Sequence, residues 1–74
     1  MADNSLGARL RGLRQDRGLT LAALAGAAKM SVSYLNDIEH DRSVPTLTKL
    51  RAIATGLDLS VRDVLKDVTD YDNR

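Results

Sequence analysis

The chain has no cysteine, tryptophan or phenylalanine, and its aromatic side chains are two tyrosines. Without cysteine there is no disulfide to staple a small fold and no thiolate to hold a metal. With one histidine besides, the Cys–His nucleophile pair and the common zinc ligand sets are excluded. No glycine-rich phosphate loop is present, and the carboxylates fall at solvated helix positions, so no catalytic residue, metal or cofactor is expected. No run approaches the ~20 apolar residues that span a bilayer. The opening "MADNSLGARL" lacks the charge, apolar stretch and cleavage site of a secretory leader. A soluble, cytoplasmic chain with no membrane partner is the expectation.

Charge of one sign is also scarce, with a formal net charge of +1. Its distribution is more informative. Residues 1–30 hold Arg9, Arg11, Arg14, Arg17 and Lys29 against Asp3 and Asp16. The middle of the chain balances. From residue 57 onward acids outnumber bases, so one end is basic and the other acidic.

What the 74 residues do contain is leucine, alanine, valine and isoleucine, a helix-favouring selection. One domain, 1–74, fits that length, and a core of this size supplies only about 3–5 kcal/mol of net stability. Well-packed helices or pairing with a second copy are the available remedies.

The apolar spacing is helical throughout. Leu6, Leu10 and Leu13 share one face of a first helix from Ser5 to Arg17, closed by Gly18 in a left-handed cap. Thr20 is placed to cap a second helix, "LAALAGAA", and Ser31 a third, with Leu35 and Ile38 inward. Pro45 blocks anything arriving from upstream. Thr46 caps a fourth helix with Leu47, Leu50, Ile53 and Ala54 inward, and Gly56 closes it. Ser60, with Asp63 at the capping-box position, opens a fifth whose apolar side is Val61, Val64, Leu65 and Val68. Residues 67–74 read as a frayed acidic tail. The fold class is therefore all-α, a compact five-helix bundle.

The informative unit is "LTLAALAGAAKMSVSYLNDIE". Two short helices with a link of roughly three or four residues must cross sharply, with Ala25 at the crossing and Leu35 and Ile38 anchoring the second inward. This is helix-turn-helix spacing.

The segments "RLRGLRQDRGLT", "LAALA", "SVSYLNDIE" and "VPTLTKLRAIATGLDLSVRDVL", in this order, resemble the phage repressor/Cro group of helix-turn-helix proteins, the xenobiotic-response-element type. The resemblance runs from Leu6 to Leu65. It implies a lambda-repressor-like domain that binds double-stranded operator DNA, usually as a dimer, with its third helix in the major groove. There are departures. Leu21 stands where the family commonly has glutamine. Lys29 stands where it often has glycine, and "EHD" (Glu39 to Asp41) replaces the usual "ErG". Asp41 takes the turn position, where aspartate accepts left-handed geometry better than most residues. The family also pairs an arginine at the place of Arg14 with the glutamate matching Glu39, which marks that pair as structural.

In this setting Ser33, Asn36, Asp37 and His40 point outward from the third helix, flanked by Val32 and Tyr34. Base-reading is expected from Val32 on a thymine methyl, Asn36 on adenine, Asp37 on the cytosine amine, and the permissive Ser33. Phosphate contacts are expected at the helix openings capped by Thr20, Ser31 and Thr46, and from Lys29, Tyr34, His40, Arg42, Ser43 and Lys49. Tyr34 has the alternative of laying its ring on the second helix. Arg9, Arg11 and Arg17 read as solvated. Leu59, Val61, Val64, Leu65, Val68 and Tyr71 exceed what one small core needs and are expected at a two-fold homodimer interface. The functional expectation is a sequence-specific transcriptional regulator, a repressor or autoregulator on a palindromic operator. The alternative is an antitoxin-like module that neutralises a protein partner such as a toxin and binds DNA secondarily. RNA is disfavoured, because no aromatic stacking platform is visible.

Overall fold

The computed structural model describes residues 5–71. Its elements are α1 (Leu6–Asp16), α2 (Leu21–Ala27), α3 (Val32–Glu39), α4 (Leu47–Gly56) and α5 (Val61–Leu65). All five open alike. The hydroxyls of Ser5, Thr20, Ser31, Thr46 and Ser60 accept the backbone N–H groups of Ala8, Ala23, Tyr34, Lys49 and Asp63. Each thereby satisfies one of the donors that a helix start leaves without an intrahelical partner.

The first four helices also close alike, each with a left-handed residue just past its end: Gly18, Lys29, Asp41 and Asp58, at φ 67°, 57°, 60° and 59°. In each case the next residue donates its N–H back to the last turn: Leu19 to Arg14, Met30 to Ala25, Arg42 to Asp37 and Leu59 to Ala54. This is the Schellman closure, which serves carbonyls the helix cannot. Gly56, expected to close α4, is instead its last helical residue. A Cβ there would stand 3.0 Å from Leu24 Cδ1 and 3.2 Å from Ala27 Cβ. Its bareness lets α4 approach α2.

The core is Leu6 and Leu10 of α1, Leu24, Ala25 and Ala28 around α2, Leu35 and Ile38 of α3, Leu50, Ile53 and Ala54 of α4, and Leu57 and Val64. α1 packs on α3 and α5, α2 on α3 and α4, and α4 on α5. Burying Ala25 almost completely, at 1% exposure, brings the helices of the turn close together. Leu47, expected inward, is only half-buried. Val64 has no exposed surface, which removes it from the expected dimer contact: it closes this chain's own core. Val68 lies beyond α5, which stops at Leu65.

The expected tail is corrected as far as Tyr71. The Asp70 carboxylate accepts the N–H of Leu6 at 2.8 Å, and the Tyr71 hydroxyl donates to the Pro45 carbonyl at 3.0 Å. These bonds fasten the C-terminal segment to the start of α1 and to the loop before α4. Residues 72–74 lie outside the described residues. Arg9, expected in solvent, donates instead to the carbonyls of Asp63 and Val64 at 2.9 and 3.3 Å, at the end of α5. No helix among the described residues is long and apolar enough to cross a membrane.

Candidate nucleic-acid interface

The candidate surface is built on α3. Leu35 and Ile38 fix its inner side, with 0% and 1% of their surface exposed. Their three-residue spacing leaves the opposite stripe outward. Val32 and Ser33 are exposed there, and Asn36 and Asp37 are half-exposed. Val32 keeps 44% of its surface in water. Tyr34 is half-buried and packs against the core, so its ring serves the fold.

Behind this stripe, Glu39 locks α3 to α1. Arg14 Nε donates to Glu39 Oε2 at 2.8 Å, and a terminal guanidinium nitrogen donates to Oε1 at 3.1 Å. The other terminal nitrogen donates to the Leu19 carbonyl at 2.9 Å. The Glu39 side chain is 1% exposed and that of Arg14 14%. A two-pronged, charge-assisted pair of this kind fixes orientation as well as distance. Beside it, Gly7 meets the end of α3 directly. A Cβ on Gly7 would stand 2.6 Å from both Asp41 Oδ1 and the Ile38 carbonyl. The Gly7 N–H donates to Asp41 Oδ1 at 2.9 Å, so Asp41 both turns the chain and caps α1. Gly7, Asp41 and Asp70 escape the sequence reading as anchors. A glycine two residues after a cap is the only local hint of close approach.

Most of the phosphate candidates are open to solvent. Thr20, Lys29, Ser31, His40, Arg42, Thr46 and Lys49 are exposed, and Ser43 is half-buried. Lys29 occupies the turn between α2 and α3 in left-handed geometry, the conformation a glycine takes at no steric cost. The hydroxyls of Thr20, Ser31 and Thr46 each accept one N–H, and a hydroxyl that accepts still has a proton to donate. His40 Nδ1 lies 2.8 Å from the Asn36 carbonyl, which steers the ring along the last turn of α3. Asp37 and Arg42 are joined, with Arg42 Nε donating to Asp37 Oδ1 at 3.1 Å. Base reading by Asp37 and phosphate contact by Arg42 are separate expectations of the sequence, and the fold joins the two side chains.

A helix-turn-helix domain family model matches residues 5–66, the whole of this five-helix unit. The chain belongs to the helix-turn-helix domain family. It is 48% identical over 63 residues to the transcriptional regulator DdrOP3 of Deinococcus deserti, covering 85% of this chain and 49% of that protein. The solution structure of the DNA-binding domain of the P22 c2 repressor superposes with a TM-score of 0.83 at 25% identity, covering 97% of this chain and 96% of that one. The biofilm regulator SinR, in a crystal structure of its complex with DNA, superposes with a TM-score of 0.76 at 33% identity, over 81% and 97% of the two chains. The chain spans about half the length of curated relatives that it matches, DdrOP3 among them.

Proposed function

We propose that this chain is a sequence-specific DNA-binding unit of a transcriptional regulator, acting as a repressor or autoregulator and engaging a palindromic operator as a homodimer. The observation that carries the reading is the outward stripe of α3. Val32, Ser33 and Asn36 stand in water on a helix whose other side is locked by Leu35, Ile38 and Glu39. A rigid helix with short, unpaired side chains facing out is what the major groove admits. Val32 meets a thymine methyl, Asn36 takes adenine in two-pronged fashion, and Ser33 tolerates either partner.

Around the stripe, the openings of α3 and α4 and the side chains of Lys29, His40, Ser43 and Lys49 position the duplex through its phosphates, with Thr20 at the opening of α2 on the same rim. The absence of net positive charge on α3 fits this division, in which the backbone contacts hold and the helix discriminates. Half-buried Leu59, Val61, Leu65 and Val68 supply the apolar patch for a second copy, with Tyr71 at its margin. A two-fold pair places the two α3 helices about 34 Å apart, one turn of DNA.

Selection of duplexes from a random pool tests this directly. The expected result is an inverted repeat with half-sites one turn apart, bound with an affinity that falls steeply as salt rises. Recovery of no enriched sequence, with equal weak retention of every duplex, would overturn the reading.

A further inference from the structure

The end of α3 departs from the other Schellman closures in one respect. An apolar contact across the closing backbone bond is common, and elsewhere at least one of the two joined residues is apolar: Leu19 with Arg14, Met30 with Ala25 and Leu59 with Ala54. In α3 they share charge. The Arg42 N–H donates to the Asp37 carbonyl at 2.8 Å, and the Arg42 side chain folds back so that Nε donates to the Asp37 carboxylate at 3.1 Å. Asp41, left-handed at φ 60°, makes the reversal that brings Arg42 back over the helix. The pair is thus tied twice, once through the backbone and once through side chains. It lies on the same outward stripe as Ser33 and Asn36, with 57% of the Arg42 side chain and 40% of the Asp37 side chain in water. The two terminal amino groups of the guanidinium bond to nothing among the described residues.

Resting on the DNA-binding reading, we infer that Asp37 is a positioning residue for Arg42 and not an independent reader of cytosine. The carboxylate holds the guanidinium by Nε and leaves the terminal fork for the duplex, so the two residues enter the interface as one unit. An isolated carboxylate brought up to phosphate is repelled, whereas a carboxylate already neutralised by Arg42 is not. In water the ion pair is weak and screened. Within the groove, where water is displaced, it becomes stronger and fixes the fork in place. A planar fork held from behind is also a more demanding recognition element than a point charge, and lysine has no Nε through which to be held.

The test is a double-mutant cycle on a selected operator, with thermal melting of each variant to show that the exposed substitutions leave the fold intact. Asp37→Ala in the otherwise unchanged protein weakens binding by about three- to tenfold, although it removes a negative charge from the DNA-facing surface. In the Arg42→Ala background the same substitution does not weaken binding, and through lost repulsion it tightens it. Arg42→Lys binds about as poorly as Arg42→Ala. The inference is overturned if Asp37→Ala leaves affinity unchanged or raises it in the otherwise unchanged protein, if the two single losses multiply in the double variant, or if lysine restores full binding. Failure of the unsubstituted protein to retain any duplex would instead sink the DNA reading itself, and this inference with it.

Discussion

Glu39 is the residue on which the candidate interface depends, although it faces away from it. Its side chain is almost wholly removed from water and both its oxygens are taken by Arg14. Glu39→Ala leaves the Arg14 guanidinium partly buried without a counter-charge. Breaking a buried pair from one side costs about 3–5 kcal/mol, which is the whole of what a core this small supplies, about 3–5 kcal/mol. The expected outcome is a chain largely unfolded at 25 °C by far-ultraviolet circular dichroism. A loss below about 1 kcal/mol in urea titration would place the pair with ordinary surface ion pairs. Gly7 and Asp41 act at the same junction, since a side chain on Gly7 would collide with the backbone end of α3.

At the scale of elements, α5 is the helix with the least of its own to stand on. At five residues it is too short to persist by propagation and leans on its caps. Ser60 accepts the Asp63 N–H at 3.1 Å, while its own hydroxyl and N–H donate to Asp63 Oδ2 at 2.9 and 3.3 Å. Those bonds, the hydroxyl's first, hold the Asp63 carboxyl below its usual value, with smaller help from the charges of Arg62 and Arg9. A carboxyl depressed in the folded state stabilises above its unfolded value of about 4, and that stabilisation is lost as pH falls through the folded value. Melting temperature is therefore expected to drop on acidification from pH 6 toward pH 3. Ser60→Ala should lower it at pH 6 and shrink the acid-induced drop, and the Asp63 carboxyl should titrate higher by NMR. An unchanged Asp63 titration in that variant would refute the reciprocal cap. Helix starts such as this one are legible in the sequence because a serine or threonine hydroxyl solves a local problem with a local residue. The helix ends are less so. Gly18 announces itself, but Asp58 adopts the left-handed turn without a glycine to advertise it, and Gly56 reads as a terminator when its real task is close packing on Leu24. The outward stripe of α3 follows from the placing of Leu35 and Ile38. The Asp37–Arg42 link does not, because it arises only once the chain reverses at Asp41. The anchors at Asp70 and Tyr71 span 64 and 26 residues and leave no local signature at all.

For the molecule as a whole, the proposed function requires a domain measuring 27 × 26 × 22 Å to gain enough contact with DNA to be selective. One α3 helix reaches only a few base pairs. Two copies related by a two-fold axis double the contacts and impose a spacing that a random sequence rarely meets. The residues proposed for that pairing are half-buried Leu59, Val61, Leu65 and Val68, at the end of the chain where acids outnumber bases and away from which phosphate is best kept. Val61 is the cleanest probe. It is the first residue of α5, where a carboxylate suits the helix dipole, so Val61→Glu should leave the fold standing while placing like charges against each other across the axis. In sedimentation the variant is expected as a monomer at concentrations where the unsubstituted chain is paired. It should bind an isolated half-site as before, and lose the tighter binding that the full inverted repeat confers. If it remains a dimer and keeps the spacing preference, the two-fold contact lies on another face. The α3 stripe would then still read DNA, but with the two stripes set by a different pair of surfaces.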